Sequence, residues 1–244
     1  KVFELKFTFE VNEIPDGPLY AAIEKPLDYS LTCNRKACQE TQEYFLDRKI
    51  IRFRVNGLKK GVNELILKGI YRNTTELEDI YLLGDFMVDS ERRMIQDRGR
   101  LHFGDWTMQG LYHYPGSVVY HFQVEQPPER QKRYELKLGD YRGTLGKVTV
   151  NGKNAGILIG NTRKNVDITD FLATGSNAID IQIIGSPRNM FGPFHQKYTG
   201  CSRISWEDFR TAGKFHTDSY VLKPYGLQGQ IVIAELEGES AYDY

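Results

Sequence analysis

The feature that most constrains this chain is an alternation of apolar and polar residues that recurs along almost its whole length. It runs through the stretches 3–11, 48–55, 63–71, 118–124, 134–138, 147–150, 177–184 and 229–236, with Gly, Pro, Asn or Asp at most of the breaks. A period of two turns one face of a strand towards a core and the other towards water. Helical periodicity is nearly absent. The pattern predicts an all-β chain whose antiparallel sheets pack as sandwiches.

An internal repeat divides this β pattern into two copies. The stretch IIRFRVNGLKKGVNELILKG and the stretch VDITDFLATGSNAIDIQII both contain Gly-x-Asn before an alternating strand, at 61–63 and at 175–177. Glycine and asparagine supply the left-handed backbone conformations that such a turn requires. We therefore predict two tandem antiparallel β-sandwiches, residues 1–92 and 93–244. The boundary falls in the charged stretch 89–100, DSERRMIQDRGR, which lacks strand period.

Local turn signals complete the structural prediction. Asn151-Gly152 between two alternating segments predicts a hairpin with a short loop. Ser205-Trp206-Glu207-Asp208 has the sequence of a capping box and predicts a single helical turn. Residues 36–46 are predicted to form another short helical turn.

Charge excludes some classes of partner. Lys plus Arg equal Asp plus Glu at 32 each, so the chain has no overall field to attract nucleic acid or an anionic membrane. The basic residues between Arg48 and Lys60 largely alternate with apolar ones, as on the solvated face of a strand. No apolar run reaches the length of about 18 residues that a membrane span needs. The chain begins at Lys1 inside a predicted strand, so we expect it to be a segment of a longer protein.

The residues that bind metals or act as nucleophiles form no recognised pattern. Cys33 and Cys38 are separated by more residues than a zinc knuckle allows, and Cys201 has no second cysteine nearby. Cys33 and Cys38 are either free thiols or, in an oxidising compartment, a disulfide. The histidines show no metal-ligand spacing, and no nucleophile elbow or phosphate loop occurs. The sequence therefore predicts no metal site.

Several motifs in succession resemble a known family. They are Val150-Asn151-Gly152, Gly156, Val166-Asp167-Ile168-Thr169, Leu172 and Gly175-Ser176-Asn177, with 80–86, 104–106, 116–120, 189–195 and 224–227. Their succession resembles the galactose-binding-like jelly rolls of bacterial glycoside hydrolases, in particular α-L-rhamnosidase-like proteins. The resemblance covers most of residues 80–233 and only weakly the first copy.

That resemblance implies a function and a setting. It implies a non-catalytic accessory segment of a secreted or periplasmic enzyme that degrades polysaccharide, with carbohydrate and the catalytic domain of the same parent chain as partners. It implies no cofactor, although related modules sometimes carry a structural calcium ion. Two alternatives stay open: a purely structural or interaction module without affinity for sugar, and a glycosidase site to which this chain contributes part.

Carboxyl groups decide whether this chain could be catalytic. Glycoside hydrolysis needs two carboxyl groups roughly 5–10 Å apart, one protonated and one ionised. The available acids are Asp85, Asp105, Asp140, Asp167, Glu207 and Asp208. Nearly all stand beside Gly or Thr in turn contexts, where an Asp side chain usually bonds its own backbone. We therefore predict no catalytic residue in this chain.

Loop aromatics are the candidates for sugar binding. Pyranose rings stack their C–H faces on flat aromatic side chains, while a few polar groups bind the hydroxyls. The candidate residues are Trp106, Tyr112, Tyr114, Phe191, Phe194, His195 and Trp206. The competing interpretation is that these aromatics plug the ends of the core or dock a neighbouring domain.

Overall fold

The computed structural model describes residues 1–24, 29–75, 77–125, 132–160, 162–197 and 204–236. Strands account for 48% and helices for 7% of the structure, so the prediction of an all-β chain is confirmed. The chain divides into two compact units, unit 1 (Lys1–Arg100) and unit 2 (Leu101–Tyr244).

Unit 1 is a sandwich of two sheets. Its strands are β1 (Val2–Val11), β2 (Tyr20–Glu24), β3 (Tyr29–Cys33), β4 (Lys36–Ala37), β5 (Gln39–Phe45), β6 (Asp47–Arg54), β7 (Gly61–Ile70), β8 (Tyr81–Leu83), β9 (Phe86–Val88) and β10 (Met94–Gln96). One sheet has the order β4-β3-β7-β1-β10-β9 and the other β5-β6-β2-β8. Leu65 and Leu67 of the first sheet share one buried core with Ala21 and Phe53 of the second.

Pairing between distant strands decides two details of unit 1 that differ from the sequence prediction. Residues 36–46 form no helical turn: they supply β4, which pairs with β3, and β5, which pairs with β6. The charged stretch 89–100 contains β10, which pairs with β9 and, through Met94, with Val11 of β1. The unit therefore continues to Arg100, which is the end of the stretch 89–100 in which the sequence places the boundary and lies beyond the predicted bound of residue 92.

Unit 2 is a second sandwich with longer loops. Its strands are β11 (Ser117–Glu125), β12 (Arg133–Leu138), β13 (Tyr141–Arg142), β14 (Leu145–Val150), β15 (Lys153–Leu158), β16 (Asn165–Asp167), β17 (Ser176–Ile184), β18 (Gly226–Leu227) and β19 (Ile231–Leu236); helix α1 is Arg188–Phe191, and 3₁₀ turns span Trp106–Gln109, Thr169–Phe171 and Trp206–Phe209. No helix in the described part of the chain is both long and apolar enough to cross a membrane.

The two sheets of unit 2 enclose one core. The four-stranded sheet has the order β11-β17-β14-β15, the three-stranded sheet β16-β12-β19, and β13 pairs with β18. Val148 and Ile181 of the first sheet are fully buried and face the same core as Leu136 and Val166 of the second. Alternation in the strands thus places their apolar faces inward, as the sequence predicts.

The two units share one topology. The order β1-β7-β3-β4 in unit 1 corresponds to β11-β17-β14-β15 in unit 2, and β6-β2-β8 corresponds to β16-β12-β19. The strands also occur in the same chain order in both units. The predicted repeat is therefore a repeat of the whole sandwich and not only of the Gly-x-Asn turn.

A pair of hydrogen-bonded asparagines, which we term the asparagine clasp, occurs in each unit. In unit 2, Asn151 at the β14–β15 turn donates from Nδ2 to Oδ1 of the fully buried Asn177, at 2.8 Å. Asn177 also accepts from the Ala173 amide at 2.7 Å and donates to the carbonyls of Ala173 and Gly175, both at 2.9 Å. The Ala178 amide donates to Asn151 Oδ1 at 3.0 Å. The clasp therefore ties a hairpin tip to the turn before central strand β17.

The clasp in unit 1 has the same bonds. Asn34, at the β3–β4 turn, donates from Nδ2 to Oδ1 of buried Asn63 at 2.8 Å. Asn63 Oδ1 also accepts from the Lys59 amide, and Asn63 Nδ2 donates to the carbonyls of Lys59 and Gly61. Asn34 and Asn151 have φ angles of 49° and 50°, in the left-handed region that asparagine tolerates. The Gly-x-Asn half of the clasp was visible as a repeat in the sequence. The Asn34 half has no such sequence signal, because Arg35 follows Asn34 where Gly152 follows Asn151.

We expect Asn177→Ala to lower the free energy of unfolding by about 2–4 kcal/mol, because the change leaves several buried donors and acceptors without partners. Urea denaturation of the full chain measures the loss. The control is Asn154→Ala, an exposed asparagine of β15, which we expect to stay within about 0.5 kcal/mol of the parent. Equal stability of the two variants would contradict a stabilising role for the clasp.

Candidate functional site

Two long loops of unit 2 carry the aromatic residues singled out from the sequence. They are residues 101–116, which precede β11, and the residues that follow β17, of which the structure describes 185–197 and 204–225. The loops contact one another: His113 Nδ1 lies 2.5 Å from the Asn189 carbonyl oxygen, and the Trp106 ring stacks on Tyr225. Loops held on a rigid sandwich are where binding sites are usually built.

Trp106 lies in the core and not at the surface. Its exposed fraction is 0%, and its ring is parallel within 19° to that of Tyr225, with centroids 5.6 Å apart. Asp105 caps the short 3₁₀ turn by accepting from the Thr107 amide at 2.9 Å and also accepts from the Tyr225 amide at 3.1 Å. No face of the Trp106 ring is therefore open to a ligand, and this residue plugs the end of the sandwich.

A second group of rings, which we term the aromatic platform, lies closer to the surface. It consists of His113, Phe194, His195 and Tyr220. Tyr220 packs edge-on against Phe194 at 5.3 Å and lies under the tilted ring of His195 at 5.0 Å, while His113 packs edge-on against both Phe194 and Tyr220. His195 is exposed, and 42% of Tyr220 is exposed. The platform therefore presents ring surface to solvent.

Main-chain hydrogen bonds hold the platform loops in place. The Thr217 amide donates to the His195 carbonyl at 2.9 Å, and the Val221 amide donates to the Phe194 carbonyl at 2.7 Å. Beneath them, the buried amide side chain of Asn189 bonds both the N–H and the C=O of Lys223, at 2.8 and 2.7 Å. These bonds preorganise the loops, so a ligand would meet a surface that is already ordered.

The remaining candidates from the first loop and from α1 occupy intermediate positions. Tyr112 is half-buried beside His113, at a centroid distance of 6.5 Å. Tyr114 is 38% exposed, packs edge-on against Trp106 and donates its hydroxyl to the Ser117 carbonyl at 3.1 Å. Phe191, at the end of α1, is 36% exposed. Tyr112 thus lies beside the aromatic platform, whereas Tyr114 packs against the buried Trp106.

The exposed tryptophan is Trp206, in the 3₁₀ turn that we term the tryptophan turn, residues 205–210. The predicted capping box is present: Ser205 and Asp208 bond each other's main-chain N–H groups, with the Ser205 amide 2.7 Å from Asp208 Oδ2. Trp206 is 73% exposed and Phe209 is 56% exposed. The guanidinium of Arg210 lies 4.8 Å from the Trp206 ring centroid. A short, locally capped turn thus holds a large ring in solvent.

Sequence reasoning missed Tyr220 and Tyr225, which organise the site. Both lie in irregular chain without strand or helix period, so no local pattern separated them from other loop tyrosines. The signal that could have indicated Tyr225 is its place in Pro224-Tyr225-Gly226-Leu227, one of the motifs that carry the family resemblance. Their partners are far away in sequence, and only the fold brings them together.

The carboxyl groups serve local structure. Besides Asp105 and Asp208, which cap turns, Glu207 pairs with Arg210 at 3.4 Å and Asp140 pairs with Arg142 at 3.3 Å. Hydrogen bonds from main-chain amides lower the pKa of Glu13 and of Asp89 in unit 1. A lowered pKa is the opposite of what a general acid requires.

Among the described residues, Asp167 has the most strongly lowered carboxyl pKa, about 2. The main cause is the hydrogen bond from the Thr169 hydroxyl, 2.6 Å from Asp167 Oδ1, followed by the bond from Arg133 at 2.5 Å and the Thr169 amide at 3.0 Å. All of these bonds favour the ionised carboxylate. Asp167 therefore anchors the turn after β16 and is not poised for proton transfer.

Neither metal ligands nor paired cysteines mark a site in the described residues. Among those residues, no group of three or more His, Cys, Asp and Glu side chains could hold a metal ion. Cys33 and Cys38 are free thiols, and burial raises the pKa of Cys33 to about 11. Cys201 lies outside the described residues.

Comparison with known proteins finds likeness only among solved structures. No protein-family model and no curated protein matches the chain. The chain is similar to a rhamnosidase from Novosphingobium sp. PP1Y, at 16% identity and a TM-score of 0.40, over 96% of this chain and 23% of that one. It is also similar to an α-L-rhamnosidase from Streptomyces avermitilis solved with L-rhamnose, at 10% identity and a TM-score of 0.31, over 75% of this chain and 22% of that one. The chain thus spans less than a quarter of either rhamnosidase.

We expect Trp106→Ala to lower the free energy of unfolding by about 3–5 kcal/mol, because it removes a fully buried indole from the end of the core. Thermal or urea unfolding measures the change. Met108→Ala, in the same 3₁₀ turn but 75% exposed, is the matched control and should change stability little. A Trp106→Ala variant as stable as its Met108→Ala control would contradict the burial of Trp106.

We expect Asp167→Asn to reduce the acid sensitivity of the fold. The pKa of Asp167 in the folded chain is about 2, below the value of about 3.9 in an unfolded chain. The ionised Asp167 therefore adds to the free energy of unfolding in full above about pH 4, and this stabilisation is lost as the pH falls towards 2. The variant should be less stable at neutral pH and should lose stability less steeply below pH 4. Urea unfolding between pH 2 and pH 7 measures both effects, with exposed Asp170→Asn as control.

Proposed function

We propose that this chain is a non-catalytic accessory segment of a glycoside hydrolase and that unit 2 binds carbohydrate. The observation that carries the proposal is Trp206, which is 73% exposed on a turn that its own capping box rigidifies. Trp206 and Phe209, both exposed on this turn, together leave apolar ring surface available to a ligand or partner. A fixed, exposed tryptophan is the group that stacks best on the C–H face of a sugar ring.

The surroundings of Trp206 supply the polar part of a sugar site. Arg210 lies over the Trp206 ring, so a pyranose would stack on the opposite face. Glu207 and Arg210 are exposed and only 3.4 Å apart, within reach of hydroxyl groups next to the ring. A few polar groups beside an apolar ring surface are what fixes the orientation of a bound sugar.

The aromatic platform is the second surface on which a longer saccharide could lie. Its exposed rings, His195 and Tyr220, are in the same loop as the tryptophan turn, residues 185–225, and are held by the hydrogen bonds described above. A polysaccharide offers repeated ring faces, so it can use more than one aromatic contact. We therefore propose a poly- or oligosaccharide as the ligand.

The bonding of the carboxyl groups near the loops favours an accessory role of this chain over a catalytic one. The acids near the loops, Asp105, Glu207 and Asp208, cap turns or pair with arginine. The resemblance of residues 80–233 to jelly rolls of α-L-rhamnosidase-like enzymes supports a parent glycoside hydrolase whose catalytic domain lies elsewhere in the same chain. On the same ground we propose a secreted or periplasmic location.

We expect the isolated chain to bind oligosaccharides that contain rhamnose, galactose or arabinose, and Trp206→Ala to weaken that binding at least about tenfold, since loss of one stacking contact costs on the order of 1.4 kcal/mol. Isothermal titration calorimetry measures the affinity. Tyr44→Ala is the control, because Tyr44 is also an exposed aromatic, at 53%, but lies on β5 of unit 1. This control should bind like the parent.

The other possible results of this titration would each indicate a different function or a different binding site. Absence of heat with every saccharide in that set would support a purely structural or interaction module and contradict the proposal. Release of reducing sugar from any of them would show that the chain contributes a glycosidase site. Binding that survives Trp206→Ala but is lost in Tyr220→Ala would move the sugar site from the tryptophan turn to the aromatic platform.

A further inference from the structure

The sequence contains two Asn-Gly pairs, Asn56-Gly57 and Asn151-Gly152, whose asparagine side chains are held differently by the fold. An asparagine followed by glycine is especially prone to lose its side-chain amide in water, because glycine has no side chain to shield its main-chain nitrogen. Both asparagines are exposed, so water reaches each of them. Burial therefore protects neither pair, and a difference between them must come from local bonding and backbone conformation.

Deamidation at such a pair is an internal substitution followed by hydrolysis. At Asn151-Gly152 the glycine nitrogen attacks Cγ of the asparagine. A bond between that nitrogen and Cγ forms, the Cγ–Nδ2 bond breaks, and Nδ2 leaves as ammonia with the proton of the glycine N–H. Water then opens the succinimide ring: opening at Cγ gives aspartate, and opening at the main-chain carbonyl gives isoaspartate. The reaction consumes water and needs no oxidant or cofactor.

The asparagine clasp holds the Asn151 amide away from this reaction. Nδ2 donates to the Phe171 carbonyl at 2.9 Å and to Asn177 Oδ1 at 2.8 Å, and Oδ1 accepts from the Ala178 amide at 3.0 Å. To form the ring, Cγ must turn back towards the Gly152 nitrogen, and this rotation separates the amide from its three partners. Asn177 is fully buried and fixed by its own main-chain bonds, so it cannot follow. Ring closure therefore requires the clasp to open first.

Unit 1 offers an internal comparison, because there the Asn-Gly pair and the clasp involve different asparagines. The side chain of Asn56 makes one hydrogen bond in the described part of the chain, from Nδ2 to the Ala37 carbonyl at 2.9 Å. Asn34, the counterpart of Asn151, belongs to the clasp but is followed by Arg35, whose side chain hinders ring closure. Asn151 thus combines the reactive pair with the clasp, and Asn56 has the pair alone.

From these observations we propose that Asn151-Gly152 is a deamidation site that the clasp protects, and that its conversion, once the clasp has opened, keeps the clasp from re-forming. Aspartate has no Nδ2 to donate to Asn177 Oδ1 or to the Phe171 carbonyl, and its negative charge faces both acceptors. Isoaspartate also lengthens the main chain of the hairpin turn. The conversion therefore weakens unit 2 irreversibly, whether or not this unit binds sugar.

The test follows deamidation of the full chain by peptide mapping and mass spectrometry, which detects the gain in mass at each asparagine. The chain is incubated in mildly alkaline buffer, both folded and in concentrated guanidinium chloride. In denaturant we expect Asn56 and Asn151 to convert at rates within about threefold of each other, because only the local sequence then acts. In the folded chain Asn151 should convert at least about tenfold more slowly than in denaturant, and also more slowly than Asn56.

Two variants separate the clasp from the general stability of unit 2. Asn177→Ala removes the clasp partner of Asn151, whereas Trp106→Ala removes a buried ring of the same unit that is not part of the clasp. We expect Asn177→Ala to speed conversion of Asn151 at least about fivefold more than Trp106→Ala does, with the rate at Asn56 unchanged in both. If Asn177→Ala does not fold, the comparison of Asn151 with Asn56 in the unaltered chain still tests the protection.

A third variant tests the consequence of conversion. Asn151→Asp reproduces the aspartate product, and we expect its unit 2 to unfold at a lower urea concentration than that of the parent. Asn154→Asp, an exposed position on β15 of the same hairpin, is the matched control and should unfold like the parent.

Three results would overturn the proposal. Conversion of Asn151 in the folded chain as fast as in denaturant, or faster than that of Asn56, would show that the clasp gives no protection. Equal acceleration by Asn177→Ala and Trp106→Ala would assign the protection to the overall stability of unit 2 and not to the clasp. An Asn151→Asp variant as stable as its Asn154→Asp control would show that conversion does not disturb the clasp.

Discussion

Both sandwiches depend on the asparagine clasp. In each unit a fully buried asparagine, Asn63 or Asn177, stands at the start of the central strand and bonds the turn before that strand as well as the asparagine of a neighbouring hairpin. A buried amide is tolerated only when its donors and acceptors have partners, and here they do. A slip of one residue in β17 would break these bonds and turn its apolar face outward. The clasp therefore helps to set the register from which the rest of each sheet follows.

The two units share one strand topology but differ in their sheet edges and loops. Unit 1 continues past β8 into β9 and β10, and these strands extend its larger sheet beyond β1. Unit 2 instead has long loops at 101–116 and, in the described residues, at 185–197 and 204–225. Trp106 and Tyr225 of these loops close one end of its core. Because the buried strands and the clasp maintain each fold, edges and loops can diverge without loss of the sandwich. The candidate sites of this chain lie at those divergent parts.

Within the loops of unit 2, burial separates structural aromatics from candidates for binding. Tyr114 and Tyr225 both pack against the buried Trp106, whereas His195, Tyr220 and Trp206 present ring surface to solvent. Hydrogen bonds and a capping box fix the second group, so its exposure does not result from a loose chain. Both interpretations of the loop aromatics, a core plug and a ligand surface, thus apply, but to different residues.

The sequence by itself determined the strand alternation, the antiparallel all-β class, the turns at Gly61 and Gly175, the Asn151 hairpin and the capping box at Ser205. These features depend on neighbouring residues, whose spacing and backbone preferences are readable locally. Tertiary structure alone decided that 36–46 are strands, that β10 belongs to unit 1, and that Trp106 is buried while Trp206 is exposed. The two tryptophans occupy similar short turns next to acidic residues. What differs is that Tyr225, distant in sequence, covers one of them, and contacts between residues so far apart leave no periodic pattern in the chain.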